Sequence, residues 1–156
     1  MNQATVPART ADMFDAAGDD LVTVLNSLDV PFLAGGTSGG QALDITPSLL
    51  LARLAASPEA RLRLALIPLL LRHPQFSAQA SAVLEALPAT AASVLKCYFV
   101  AAALLQRKYW ERLQSLGMPA LALPPLFFAE LAIPYPCNPD DGLKLLADRQ
   151  AILSER

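Results

Sequence analysis

His73 is the only histidine in the chain, and Cys97 and Cys137 are its only thiols. Base–nucleophile chemistry would have to run through His73, with Cys97 or Ser77 as the attacking group. No orienting third group and no local signature accompanies them. A histidine that closes an apolar helix just before Pro74 is better explained by the negative end of the helix dipole. Cys97, next to Tyr98 and Phe99 in an apolar run, reads as a small buried hydrophobe. Cys137 lies in a proline-rich stretch and reads as an incidental free thiol. One histidine and two distant cysteines cannot close a zinc site, so neither a metal nor a cofactor is expected.

Two carboxylate pairs, Asp19-Asp20 and Asp140-Asp141, invite an acid/base reading. Adjacent residues on a helix do not share a face, and acids at a helix start are the simpler account. The run Gly35-Gly36-Thr37-Ser38-Gly39-Gly40 lacks the Lys-Ser/Thr that a phosphate loop requires, because Gln41 follows it. It reads as a flexible linker. Arg107, Lys108, Tyr109, Trp110 and Arg112 form a basic, aromatic cluster that nucleic acid could use by phosphate pairing and stacking. The alternative is a solvated helix end with Arg107 paired to Glu111. A second positive group, Arg53, Arg61, Arg63 and Arg72, is interrupted by one acid, Glu59.

The bulk numbers favour the reading without chemistry. In 156 residues, 54% are hydrophobic, 17% charged and 6% aromatic. Leucine and alanine dominate, so helices have material and sheets have little. A net charge of −2 supplies no general attraction for nucleic acid. No secretory signal follows Met1, and a reducing, cytoplasmic setting is expected. Ala89 to Leu105 is nearly all apolar but carries Lys96 and falls short of the roughly 20 residues a bilayer requires. It is expected as a buried helix rather than a membrane span.

Residues 1–45 are expected to form an acidic arm, with Asp12, Asp15, Asp19, Asp20, Asp29 and Asp44 against Arg9. One short helix from Asp19 to Leu28 would carry Leu21, Val24, Leu25 and Leu28 on one side. Residues 46–156 are expected to form a single all-α domain, an irregular bundle of about six helices. Thr46-Pro47 and Ser57-Pro58 are helix starts. Leu62, Ala65, Leu66, Leu69 and Leu70 mark the inner face of the second helix, which Pro68 should bend. A third helix follows from Ser77 to Leu87. A long fourth, from Thr90 to Leu116, bears the stripe Val94, Tyr98, Ala101, Leu105, Tyr109, Leu113 and Leu116. Leu95, Phe99 and Ala102 widen it in the first half. Gly117 suits the position after its end. Leu126 to Ala132 allows one or two turns with Phe127, Phe128 and Leu131 inward. A last helix from about Pro139 to Leu153 would bury Leu143, Leu146 and Ala147.

The pair spanning Leu49 to Pro74 resembles one unit of a HEAT-type helical repeat, through its Ser-Pro-Glu turn and Arg-Leu-Arg-Leu-Ala-Leu helix; no second copy follows. The succession SPEARLRLALIPLLLRHP, YFVAAALLQRKYWERL, LPPLFFAEL, GLKLLADR resembles small helical companions encoded beside bacterial nucleotidyltransferases. That resemblance covers about two-thirds of the chain and implies an antitoxin-like protein that binds the enzyme. The enzyme's own Gly-Ser and spaced-aspartate hallmark is missing here. The expected function is therefore a non-catalytic protein-interaction module that occludes a partner, with self-association also compatible. The alternative is a small helical nucleic-acid-binding regulator. Arg61, Arg63, Arg72, Tyr109, Trp110 and Arg112 are the expected anchors, being of the types enriched at interfaces.

Overall fold

A computed structural model describes residues 20–30 and 45–154 of the chain. The arm's aspartates before Asp20, the Gly/Ser run and the side chain of Leu153 lie outside the described residues. Among the described residues the fold is all-α, with no strand. Residues 20–27 are helical and form α1. They are followed by α2 (Pro47–Ala56), α3 (Ala60–Leu64), α4 (Leu66–Arg72), a 3₁₀ segment (Pro74–Gln79), α5 (Ala80–Ala86), α6 (Ala89–Lys108), α7 (Trp110–Ser115) and α8 (Pro139–Ser154).

The start signals act as their chemistry demands. Thr46 Oγ1 accepts the Leu49 amide at 3.2 Å, and Pro47 follows as the first helical residue. α2 then buries Leu50, Leu51, Leu54 and Ala55, one face of the helix. Beyond Ser57 the expected second helix is divided. The ring of a proline collides with the carbonyl four residues back, which for Pro68 is Leu64. The helix ends at Leu64, turns at Ala65, and restarts at Leu66, so Pro68 falls in the first turn of α4, where its missing N–H costs little. All five residues of the expected inner face, Leu62 to Leu70, are buried.

α6 is the axis of the molecule. Val100 to Leu104 are buried in succession, which covers every direction around a helix. The centre of its packing is the row Leu95, Phe99 and Ala102, each with no exposed surface. The expected main stripe is the flank: Val94, Tyr98 and Leu105 are half-buried, and Tyr109 and Leu116 are exposed. Among the described residues α6 alone is long and apolar enough to cross a membrane, with 20 residues through Lys108. The expected shortfall in length therefore does not hold. Its inner apolar side chains, from Leu95 to Leu104, are instead largely covered by other elements of the fold.

α2 and α4 cover one side of α6, and α8 another. The segment between α7 and α8 runs along the remainder. Leu123 bonds to Gln106, Phe127 meets Phe99 edge-on at 5.2 Å, and Glu130 reaches Lys96 at 3.0 Å. The chain then returns, setting Tyr135 under Arg107 and Asp140 against Lys108. Residues 126–132 are turns rather than helix, since Phe127 and Ala132 have φ of 70° and 56°. Such backbone costs on the order of 1–3 kcal/mol per residue, which burial of Phe127, Phe128 and Leu131 offsets.

Three further differences have local causes. The long helix breaks at Tyr109, where φ is −112° and ψ 25°, although no proline or glycine is present. It closes after α7 as expected: Gly117, φ +83°, lets its own N–H reach Gln114 O and the Met118 N–H reach Leu113 O, both 3.0 Å. The third helix begins as the 3₁₀ turn and becomes α-helical at Ala80. On α8, Leu146 is buried and Leu143 half-buried, but Ala147 is exposed. The inner position is Gly142, where a Cβ would lie 2.8 Å from Leu104 Cδ2 and 3.0 Å from Cys137 Sγ.

Residues 20–30 share this core. Leu21, Val22, Val24, Leu25 and Val30 are buried, and Leu28 packs against them half-buried. The core thus extends upstream of residue 46.

Gln106 is the one buried polar side chain among the described residues. Its Nε2 donates to Leu121 O at 2.9 Å, and its Oε1 accepts the Leu123 N–H at 2.7 Å. Gln106→Leu is expected to lower stability by about 2 kcal/mol, chiefly through the stranded Leu123 amide. Gly142→Val is expected to cost about 1–3 kcal/mol by overpacking against Leu104. Urea melts followed by circular dichroism measure both, and unchanged midpoints would contradict the packing described.

Candidate partner-binding surface

The groups that could carry chemistry are engaged in holding helices together. His73 Nε2 lies 2.6 Å from Leu28 O. A carbonyl only accepts, so Nε2 carries the proton, and Nδ1 is left to face Gln75 Nε2 at 3.4 Å. The ring also stacks on Phe76 at 5.2 Å. The carbonyl belongs to Leu28, just past the end of α1, and not to the helix His73 terminates, where the contact was expected. Neither ring nitrogen addresses a thiol or a hydroxyl. Cys97 is buried within α6, and that burial pushes its thiol above the usual range, only partly opposed by the Lys96 ammonium. Among the described residues no three His, Cys, Asp or Glu side chains converge as a metal would need.

The six expected anchors do not form one patch. Arg61 and Arg63 sit on α3, and Arg63 lies by Val94 near the start of α6. Tyr109, Trp110 and Arg112 lie past its other end. Fifteen residues separate Val94 from Tyr109, which is about 22 Å of helix. Arg61 bonds its neighbour Glu59 at 2.6 Å. Arg63 Nη1 donates to Ser57 O at 2.8 Å. Arg72 ties two elements together, with Nη2 3.8 Å from Asp29 Oδ2 and Nη1 3.6 Å from Met118 Sδ.

The far end of α6 gathers more than sequence reasoning named. Tyr109, Leu121, Tyr135 and Leu116 are 45% to 64% exposed. Tyr109 and Leu116 flank α7 at its start and end. Gln106 holds Leu121 in place through its backbone, and Arg107 lies 5.2 Å over the Tyr135 ring. Trp110 is half-buried and Arg112 exposed beside them. Leu116 was visible as part of a stripe. Leu121 and Tyr135 carried no local signal, because only the returning segment brings them to this end. The expected Arg107–Glu111 pair does not form; the break at Tyr109 removes the regular i,i+4 geometry.

Lys108 is held by Asp140 at 2.5 Å and lies 5.3 Å from the Tyr109 ring. The hydrogen bond to Asp140 raises its ammonium above the ordinary lysine range. The basic cluster is thus largely committed within the molecule.

No protein-family model matches the chain, and neither a curated protein nor a solved structure matches it.

Iodoacetamide is expected to alkylate half-buried Cys137 in the native protein, and Cys97 only after denaturation. The thiol of Cys97 is harder to ionise folded than unfolded, so between those two values the native state binds more protons. Its contribution is therefore fully present below the unfolded thiol's range and is lost as pH rises through the folded one. Thermal melts across alkaline pH should show a steeper loss in the native sequence than in Cys97→Ala. Equal slopes would contradict this.

Proposed function

We propose that the chain is a non-catalytic protein-interaction module, an antitoxin-like companion whose α6–α7 end covers the active-site cleft of a nucleotidyltransferase. The observation that carries the reading is the exposure of four large apolar side chains, Tyr109, Leu116, Leu121 and Tyr135, on α7's flanks and on the segment that returns to the end of α6, with Arg112 exposed and Trp110 half-buried on α7. Isolated apolar residues on a surface are ordinary, and Leu49, Leu64 and Ile152 are such cases. A grouped set with aromatic and arginine members has the composition of interface centres. The choice of a nucleotidyltransferase rests on the resemblance of the helical succession.

Nucleic acid is the poorer occupant of this surface. Lys108 is paired with Asp140, which Asp141 follows, Arg107 is laid on Tyr135, and Glu111 stands nearby in sequence. Phosphates would meet few free cations.

The test is co-purification of the tagged chain with the nucleotidyltransferase encoded beside it, against a Tyr109→Ser, Leu116→Ser variant. Both positions are exposed, so the fold should survive the change. The native sequence is expected to retain the enzyme and suppress nucleotidyl transfer, and the variant to weaken binding about tenfold or more. A strict monomer that leaves transfer unaffected, or salt-sensitive retention on DNA with no protein bound, would overturn the reading.

A further inference from the structure

A groove of about 490 Å³ opens at the other end of α6, between the last turn of α2 and the start of α6. That volume is in the range of clefts that receive a small ligand or a few side chains, roughly 300–1,000 Å³. Ala56, Pro58, Pro88 and Val94 make its walls apolar, while Arg63 and Thr90 bring polar atoms to it. The Arg63 guanidinium has five N–H donors, and one is used on Ser57 O. The others have no partner among the described residues.

Arginines outnumber acids around the groove, where Glu59 follows Pro58 and Glu85 precedes Pro88 by three residues. Arg53 precedes Ala56 and Ser57 by three and four residues on α2 and so flanks the same edge. Arg61 lies on α3 beside Arg63 and already holds Glu59, the only acid in this stretch. Among the described residues Arg53 and Arg63 have no carboxylate partner. The wall on the α6 side adds to this. Pro88 provides no side-chain cap, and the first bond of the helix is Ala92 N–H to Pro88 O at 2.8 Å, so the preceding amides have no intrahelical acceptor.

We infer that this groove binds an acidic, leucine-bearing peptide segment of a partner protein. An apolar side chain of the segment enters between Pro58 and Val94, one carboxylate takes the free donors of Arg63, and a second reaches Arg53. The cations stand outside the apolar walls as well as at them, so the fitting ligand is longer than the groove. A segment fits this and a compact metabolite does not. The inference rests on reading the chain as an interaction module, but the site is distinct from the α6–α7 surface.

The probe is a short fluorescein-labelled peptide in which aspartate alternates with leucine, titrated with the full chain and followed by anisotropy. A control peptide carries asparagine at each aspartate. The aspartate peptide is expected to bind about tenfold or more tightly than the control, with affinity falling as salt rises. Arg63→Ala and Thr90→Trp are each expected to weaken it about tenfold. The second fills the groove from an exposed position, so it tests occupancy without disturbing the core. Arg112→Ala should leave binding unchanged, and the Tyr109→Ser, Leu116→Ser variant likewise, which separates failure here from failure of the other surface. Circular dichroism confirms that each variant is folded. Equal binding of the two peptides, or native affinity in both groove variants, would overturn the proposal. So would binding that appears only after residues 1–19 are removed, since the chain's own acidic segment would then be the occupant. Loss of a dimer in light scattering on Thr90→Trp would assign the groove to a second copy and overturn it equally.

Discussion

The described part of this molecule is arranged around the enclosure of one helix. Leu95, Phe99, Val100, Ala102 and Leu104 of α6 have no exposed surface, and no single neighbour could hide all of them. α2 and α4, α8, and the 121–137 segment each take a share. At about 1.5–3 kcal/mol for each large apolar side chain removed from water, this burial is the main force opposing the conformational entropy of the chain. It also explains why non-helical backbone is tolerated alongside α6. The left-handed residues Phe127 and Ala132 and the buried amide of Gln106 allow an irregular segment to fit a surface that a further helix would otherwise cover.

The same constraint sets the surroundings of His73 and Cys97. His73 links the end of α4 to the end of α1, and Cys97 faces inward from α6. Both are used in packing. The surfaces proposed for binding lie at the two ends of α6, where helices stop and chain segments turn. One end presents aromatic and apolar side chains with Arg112. The other has an apolar groove with unpaired arginines. The two ends therefore offer different chemistry, hydrophobic at one and cationic at the other, about 22 Å apart along the helix.

Much of this was legible in the residues. The Thr46-Pro47 start, the Leu62–Leu70 inner face, the stop at Gly117 and the inward Phe127, Phe128 and Leu131 all follow from capping chemistry and helical spacing. The break at Ala65 was nearly legible, since Pro68 was known to disturb a helix; its effect falls on the carbonyl four residues earlier. The break at Tyr109 was not, because no residue there forbids a helix. The row at the centre of α6 is hidden in the residues for a similar reason. Periodicity identifies an apolar face but cannot tell the middle of a wide face from its edge.

The residues alone determined that this is a helical protein, where most helices start and stop, and which leucines avoid water. Those are properties of local backbone chemistry and of side chains within a few turns of one another. Tertiary structure alone decided that Arg61 and Arg63 stand apart from Tyr109 and Arg112, that Leu121 and Tyr135 join the latter, and that Gln106 is buried. Each of these depends on which distant segments the chain folds against α6, and a side chain's exposure is set by what covers it rather than by its place in the sequence.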